Sequence, residues 1–324
     1  MEINSYCKFN RNIGGGNMKF KFTVIVPVYN AELWLRECLS SVVNQTLGFK
    51  ENIHLVLVND GSTDSSGDIC ERYKKKYPEN VTYINKENGG VSGARNLGMK
   101  HIEGDYIIFL DSDDYWAEDA FDKIYHFFET HKSLDVCVCR LQHVGDFVEK
   151  DHPLDWRFEK GSRVVSLERE PEVIQSAIGN SVFRSESICN IRFNENLRTA
   201  EDAFFNTQVL LKRMKMGIIA DAVFYYRRME SGDSLTSDIR MRKDFYLDIP
   251  REYYLGLMEY CRNNSGHIPE YVQNLIRYDI QWRKYIPEAM DALNKAEKTS
   301  YIETMRQVLW NLDDDIIGRK DNLN

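Results

Sequence analysis

The sequence predicts an α/β protein built on a doubly wound, mostly parallel sheet. Three observations lead there. Short apolar runs rich in Val, Ile and aromatics recur four times before residue 111, each bounded by turn residues, which reads as buried strands. Helical patterns alternate with them, the order of βαβ units. Carboxylates close two of the runs: Asp60 ends the second, and Asp111, Asp113 and Asp114 follow the fourth. An ionised carboxylate cannot sit unpaired inside a sheet. These groups therefore emerge at C-terminal strand ends, where open α/β sheets bind ligands.

The elements follow in order. Lys19 to Pro27 is a first strand, ended or made irregular by Pro27, which cannot donate to a ladder. Asn30 is placed to cap the helix that carries Leu33, Leu35, Cys38, Leu39, Val42 and Val43. Ile53 to Asp60 is the second strand. Gly61 to Asp64 is a turn whose Ser62 or Thr63 caps a helix running to Lys76. Val81 to Asn85 is the third strand, and the loop Asn88-Gly89-Gly90-Val91-Ser92-Gly93 enters a helix from Ala94 to His101. Gly104 to Leu110 is the fourth strand.

Beyond it, Asp113 reads either as a metal ligand or, like Asp114, as an N-cap for a helix over Trp116 to Phe128. Leu134 to Leu141 is a strand, Gln142 to Ser166 loops or a short hairpin, and Ile174 to Ile178 helical. Asn180 to Arg184 is a short strand, Ala203 to Met214 a helix, and Ile218 to Tyr226 a last strand before a loop through Thr236. From Ile239 long helical patterns take over, as in Tyr246 to Arg262 and Pro269 to Trp282. Residues 1–17 read as a disordered leader, with Met18 a candidate natural start. The domain reading is 1–17 leader, 18–238 catalytic domain and 239–324 helical subdomain. The run Asp313-Asp314-Asp315-Ile316-Ile317-Gly318 reads as a frayed tail or a point where a longer chain continues.

The whole chain narrows the classes. At 324 residues it is long enough for one large domain and a smaller one. A formal net charge of −8 argues against nucleic acid as the main partner. The seven cysteines show no metal-ligand spacing, and Cys137 and Cys139 alternate in a strand as core residues would. An odd count fits a reducing, cytoplasmic compartment. No apolar run reaches membrane-spanning length, which leaves peripheral association with the inner membrane face open.

Asp111 and Asp113, one residue apart, form a hard-oxygen pair suited to Mg²⁺ or Mn²⁺ holding a diphosphate. Arg95, in the first turn of a helix, is a cation where the helix dipole disfavours one, which calls for a nearby anion. Asp60 is acceptor-only and stands before a tight turn, which it could simply cap. Glu201-Asp202 at a helix start is also what the dipole favours by itself.

Together the segments Val24-Ile25-Val26-Pro27-Val28-Tyr29-Asn30, Val58-Asn59-Asp60-Gly61-Ser62-Thr63-Asp64, Asn88-Gly89-Gly90-Val91-Ser92-Gly93-Ala94-Arg95-Asn96 and Leu110-Asp111-Ser112-Asp113-Asp114 occur in that order. This resembles the family-two inverting glycosyltransferases of GT-A fold. The likeness is specific from Phe22 to about Trp116 and looser to about Thr236. Beyond that it extends only to a helical extension of the kind seen in polyol-phosphate (teichoic-acid type) and capsule glycosyltransferases.

The resemblance implies a UDP-sugar donor. Asp60 would bond the uracil N–H, with Pro27 and Tyr29 as the rim under the base and Asn88 near the nucleotide. Arg95 would lie near the nucleotide or the acidic motif. Asp113 would ligate the metal at the diphosphate, with Asp111 on the ribose and supporting the metal, and Ser112 between them in the same donor-contact set. Asp202 would be the general base that takes the acceptor proton. Arg228 and Ser234 would contact the diphosphate; related enzymes more often carry His at the first of these, which puts a metal-ligand role there in doubt. The implied acceptor is a hydroxyl on a glycan, a polyol-phosphate polymer or a lipid-linked saccharide, with sugar selectivity set by loops between Gln142 and Ser181. A further C-terminal domain or an oligomer is compatible with this reading.

Two rivals stand beside it. A nucleotidyltransferase also pairs carboxylates with Mg²⁺, but none of the usual basic, glycine-rich sequence lies between Val26 and Asn30. A non-catalytic carbohydrate-binding protein on the same fold would not need Asp111, Asp113 and Asp202 together. The tyrosines after Ile239, with Trp282, suggest either a wet, half-apolar surface on the acceptor side or against a partner domain, or simple packing against the transferase domain.

Overall fold

The computed structural model describes residues 19–146, 152–228, 242–281 and 293–319. Its strands are β1 (Phe20–Val28), β2 (Ile53–Asp60), β3 (Val81–Lys86), β4 (Gly104–Phe109), β5 (Tyr115–Trp116), β6 (Val136–Gly145), β7 (Arg163–Ser166), β8 (Ser181–Arg184) and β9 (Lys215–Arg228). Helices α1 (Leu35–Val43), α2 (Phe49–Asn52), α3 (Ser66–Lys76), α4 (Val91–Gly98), α5 (Ala120–Thr130) and α6 (Glu201–Leu210) surround them. After β9 come α7 (Lys243–Asp248), a π-helical stretch (Ile249–Leu255), α8 (Gly256–Ser265), α9 (Glu270–Gln281), α10 (Lys295–Trp310) and α11 (Asp314–Ile317). Among the described residues no helix is long and apolar enough to cross a membrane.

One sheet runs in the order β3-β2-β1-β4-β8-β6-β9-β5, with β7 also paired to β9. The first four strands are parallel. The second half is mixed: β8 runs antiparallel to both β4 and β6, and β9 is parallel to β6. Central β1 is buried on both faces, which is why it is a nearly unbroken apolar run. Its side chains alternate between two cores. Ile25 joins the face covered by α4, α6 and the late helices; Phe22, Val24, Val26 and Val28 join the face covered by α1, α3 and α5. Cys137 and Cys139 are buried in that second core. Gly98 lets α4 lie directly on β1, since a Cβ there would meet Ile25 Cγ2 at 2.4 Å.

Several elements differ from expectation, each for a local reason. β1 does not stop at Pro27 but continues to Val28 in register with β2. The Pro27 nitrogen faces the same side as the Ile25 carbonyl, which accepts from Leu110 N, and β4 pairing has ended at Phe109. No ladder bond is lost there. Asn30 does not cap α1, which starts at Leu35; its backbone is left-handed (φ 47°) and its Oδ1 accepts from Thr63 N at 2.8 Å. Neither Ser62 nor Thr63 caps α3; Asp64 Oδ1 accepts from Ser66 N instead. Neither Asp113 nor Asp114 caps α5, which begins at Ala120.

Ile174 to Ile178 is irregular rather than helical. Its apolar side chains are buried, but side chains take over its backbone carbonyls: Arg157 donates to Ile174 O, and Asn206 to Ser176 O and Ala177 O. The acidic stretch read as a frayed tail packs: Gln273 and Asp313 exchange hydrogen bonds of 2.9 and 2.7 Å, and Ile316 is buried. Tyr253, Tyr254 and Tyr271 are core residues, not an exposed platform. Trp282 and Tyr285 lie outside the described residues.

Candidate active site

Strands β2 and β4 flank β1, so Asp60 and the Asp111–Asp114 turn leave the sheet at the same edge, one strand apart. The loops around them are tied together. Asn30 N donates to Ser62 Oγ, Ala31 N to Ser66 Oγ and Glu32 N to Asp64 Oδ2, which zips the β1–α1 loop to the β2–α3 loop. Pro27 is buried beneath this rim and Tyr29 is exposed on it.

The buried Asp60 carboxylate organises the glycine loop. Its Oδ1 accepts from Gly89 N at 2.9 Å and from Lys86 Nζ, and its Oδ2 accepts from Gly90 N at 2.8 Å. A carboxylate offers about four lone-pair positions, so one on Oδ2 is left for a ligand N–H. Gly61 is left-handed (φ +75°), and a Cβ there would sit 2.8 Å from Asn88 N. This close approach keeps the exposed Asn88 against the turn. Lys86 carried no signal in the sequence beyond its place at a strand end.

Arg95 is the hinge of the other half. It is 3% exposed, donates from Nη2 to Asp111 Oδ1 at 2.7 Å and from Nη1 to Glu201 Oε1 at 2.9 Å, and lies over the Phe193 ring. Arg95 is not in the first turn of its helix: α4 begins at Val91, so Arg95 falls in the last turn, where the dipole favours a cation, and its buried charge is met by a pair of carboxylates from two separate elements. Burial opposes its charge, and the two carboxylates outweigh that and hold it protonated. Burial pushes the Glu201 carboxyl up while Arg95 pulls it down.

Asp202 follows on the first turn of α6. The residue before the pair, Ala200, is left-handed (φ 66°), a strained choice for a non-glycine that turns the chain into the helix. Glu201 then points to Arg95. Asp202 is half-buried, and its Oδ1 accepts from Ala203 N at 2.8 Å. Burial, and then the neighbouring Glu201 charge, push its carboxyl up to about 7.

Asp113 is exposed in the turn. Enclosure by the surrounding protein, and then the Asp111 charge beside it, raise its carboxyl to about 6. Asp114 is buried, and its Oδ1 accepts from Arg227 N at 2.8 Å. Arg227 itself was not singled out in the sequence; Arg228 was. The Arg227 guanidinium donates from Nε to Asp113 O at 2.9 Å, pairs with Glu37 and stacks on Trp34 with 4.1 Å to the ring centroid. It locks the acidic turn to β9 and α1. Alternation along β9 could not reveal this, because the contact needs the β5–β9 pairing that brings Tyr115 opposite Tyr225. Replacing Arg227 with Ala is expected to speed amide exchange across residues 113–115 about tenfold, the loss of one charge-assisted bond of roughly 1.5 kcal/mol. Hydrogen-exchange mass spectrometry reads it.

Ser112 is half-buried in the turn between the two carboxylates, and Arg228 is exposed at the end of β9. Ser234 lies outside the described residues.

The sheet order, with an acidic turn after β4 and a glycine loop at one sheet edge, is that of the GT-A glycosyltransferase fold. The chain belongs to glycosyl transferase family 2, whose profile matches residues 23–191, just over half of it. It is 34% identical over 306 residues to the minor teichoic acid biosynthesis protein GgaA of Bacillus subtilis, covering 93% of this chain and 68% of the relative. It is 35% identical over 303 residues to GgaB of the same organism, covering 93% of this chain and 33% of GgaB. The chain therefore spans about one third of GgaB's length. Its fold superimposes on the crystal structure of Staphylococcus aureus TarS residues 1–349 in complex with UDP-GlcNAc, with a TM-score of 0.71, 22% identity and coverage of 92% and 83%. TarS is named a poly(ribitol-phosphate) beta-N-acetylglucosaminyltransferase.

Proposed function

We propose that the chain moves a hexose or N-acetylhexosamine from a UDP-sugar to a hydroxyl of a polyol-phosphate polymer of the teichoic-acid type, with inversion. The observation that carries this is the Arg95 bridge. One buried guanidinium ties the acidic turn after β4 to the first turn of α6, through Asp111 on one side and Glu201, the residue before Asp202, on the other. A donor diphosphate belongs beside Asp111 and an acceptor hydroxyl beside Asp202. The names of GgaA, GgaB and TarS support the acceptor class, and the UDP-GlcNAc in the TarS complex supports the donor. The transferase region is read as residues 18–238 and the helical region as 239–324.

Asp111 and Asp113 suit a divalent cation. Among the described residues no side chain hydrogen-bonds the Asp113 carboxylate, and the Asp111 charge beside it is part of what raises it to about 6. No described cluster of three or more acidic, His or Cys side chains is arranged to hold a metal. Mg²⁺ and Mn²⁺ are usually held by one or two carboxylates and completed by substrate phosphate and water. Asp113 would hold the ion with support from Asp111, and the bound ion would supply Lewis-acid neutralisation of the UDP leaving group.

The chain's own residues do the rest. Asp60 keeps one acceptor position for the uracil N–H. Asp202 removes the acceptor proton as the new bond forms, and direct displacement leaves no sugar on the enzyme. A base with its carboxyl near 7 is deprotonated about half the time at neutral pH, so kcat/KM should rise as pH rises through about 7.

Calorimetry tests the donor half. UDP is expected to bind with Mn²⁺ and to outcompete GDP and CDP roughly ten- to hundredfold, the value of one charge-assisted hydrogen bond at Asp60 of about 1.5–3 kcal/mol. Asp113→Ala should abolish the metal-dependent part. UDP affinity that survives EDTA unchanged would remove the metal from this reading.

A further inference from the structure

The late helices pack a buried polar residue against α6, and the mechanism above does not use it. From Lys243 to Ser265 the chain is one helical path, interrupted by the π-helical stretch Ile249–Leu255. Pro250 starts this stretch and has no N–H for the regular ladder, so the turn widens. Such turns are rare and concentrate at functional sites. This one carries Tyr253, 1% exposed, whose hydroxyl has no hydrogen-bond partner among the described residues.

A phenol buried without a partner is costly and calls for an explanation. Its neighbour Tyr254 has the ordinary solution: that hydroxyl donates to Asp279. The Tyr253 ring instead lies edge-on to Phe204 of α6, 6.4 Å between centroids and two residues beyond Asp202. Asp279 of α9 bears on its hydroxyl most strongly, then Tyr254, and then the Asp202 carboxylate. One turn along α6, Asn206 is fully buried and its Oδ1 also has no partner among the described residues, while its Nδ2 donates to Ser176 O and Ala177 O. Residues four apart share a helix face, so this second orphan lies on the face of Asp202.

We propose that Tyr253 is a positioning residue for transfer: in the acceptor-bound enzyme its hydroxyl donates to the Asp202 carboxylate and fixes the oxygen that takes the proton. This rests on the reading of Asp202 as the base. Asp202 Oδ1 is already held by Ala203 N, so a second donor from another element would fix the plane of the carboxylate. The helical region would thereby complete the base site. The other titratable or charged groups around the pair are Glu201 on the same helix, Arg95 from α4, Asp111 from the acidic turn, Tyr254, and Tyr271 and Asp279 from α9.

Tyr253→Phe tests it, because it keeps the buried ring. UDP release is measured from UDP-glucose, UDP-galactose, UDP-GlcNAc and UDP-GalNAc with poly(ribitol phosphate) and poly(glycerol phosphate), using the pair on which wild type is fastest. The expected result is kcat lower by about ten- to hundredfold with donor KM and UDP affinity unchanged. The acid limb of the pH profile should move to higher pH, because the lost bond favoured the charged carboxylate. Unchanged kcat overturns the proposal. So does a lower kcat with the acid limb unmoved and UDP affinity lost in step, which marks a packing role. If wild type releases no UDP from any donor, the donor reading falls and this inference with it; if wild type turns over and Tyr253→Phe matches it, only this inference falls.

Discussion

Asp202→Asn is expected to lower transfer by about 10²–10⁴ while leaving UDP-sugar and metal binding near wild type. The amide keeps the size of the carboxylate and can still accept from Ala203 N, so α6 should keep its first turn. It cannot take a proton at neutral pH. The loss should therefore fall on kcat and kcat/KM together, the pattern of an interaction made only in the transition state. The acid limb near 7 should vanish from what activity remains. Donor affinity by calorimetry and turnover by UDP release, on the same preparations, separate the two effects. Wild-type turnover in Asp202→Asn would move the base elsewhere, with Glu201 next to examine, although its carboxylate is already engaged by Arg95.

Arg95→Met is expected to lower stability by about 3 kcal/mol, the low end of what breaking a buried ion pair costs. The low end applies because one partner, Asp111, is more than a third exposed and can recover water, whereas Glu201 cannot. Denaturant unfolding reads the shift in midpoint. Activity should fall further than stability does, since the guanidinium also sets the spacing between the acidic turn and α6. Arg95→Lys should restore charge but not function, because one ammonium cannot reproduce a planar fork donating to two carboxylates. An Arg95→Met protein as stable as wild type would mean that Asp111 and Glu201 find other partners, and the bridge would lose its organising role.

Much of this was legible in the sequence, and the reasons are local. Parallel strands buried on both faces are written as apolar runs, so β1, β2 and β4 stand out. Their carboxylate ends stand out because charge cannot remain inside a sheet. The antiparallel insertion of β8 was not legible, since register between distant strands is set by packing rather than by any run of residues. Polar loops misled in the same way. Asn30 carries a capping residue type, yet its side chain serves a loop more than thirty positions away. Arg227 and Glu201 looked ordinary because their meaning lies in partners on other elements. The tyrosines of the late helices left a surface and simple packing both open, because composition does not say which way a ring faces; burial of Tyr253, Tyr254 and Tyr271 decides for packing at those three.

The measurement that tests the central reading most directly is UDP release from UDP-sugars in the presence of a polyol-phosphate polymer, on wild type, Asp113→Ala and Asp202→Asn side by side. The expected result is polymer-dependent release by wild type with Mn²⁺, loss of both donor binding and release in Asp113→Ala, and loss of release alone in Asp202→Asn. Release that is independent of Mn²⁺ and equal in all three proteins would contradict it.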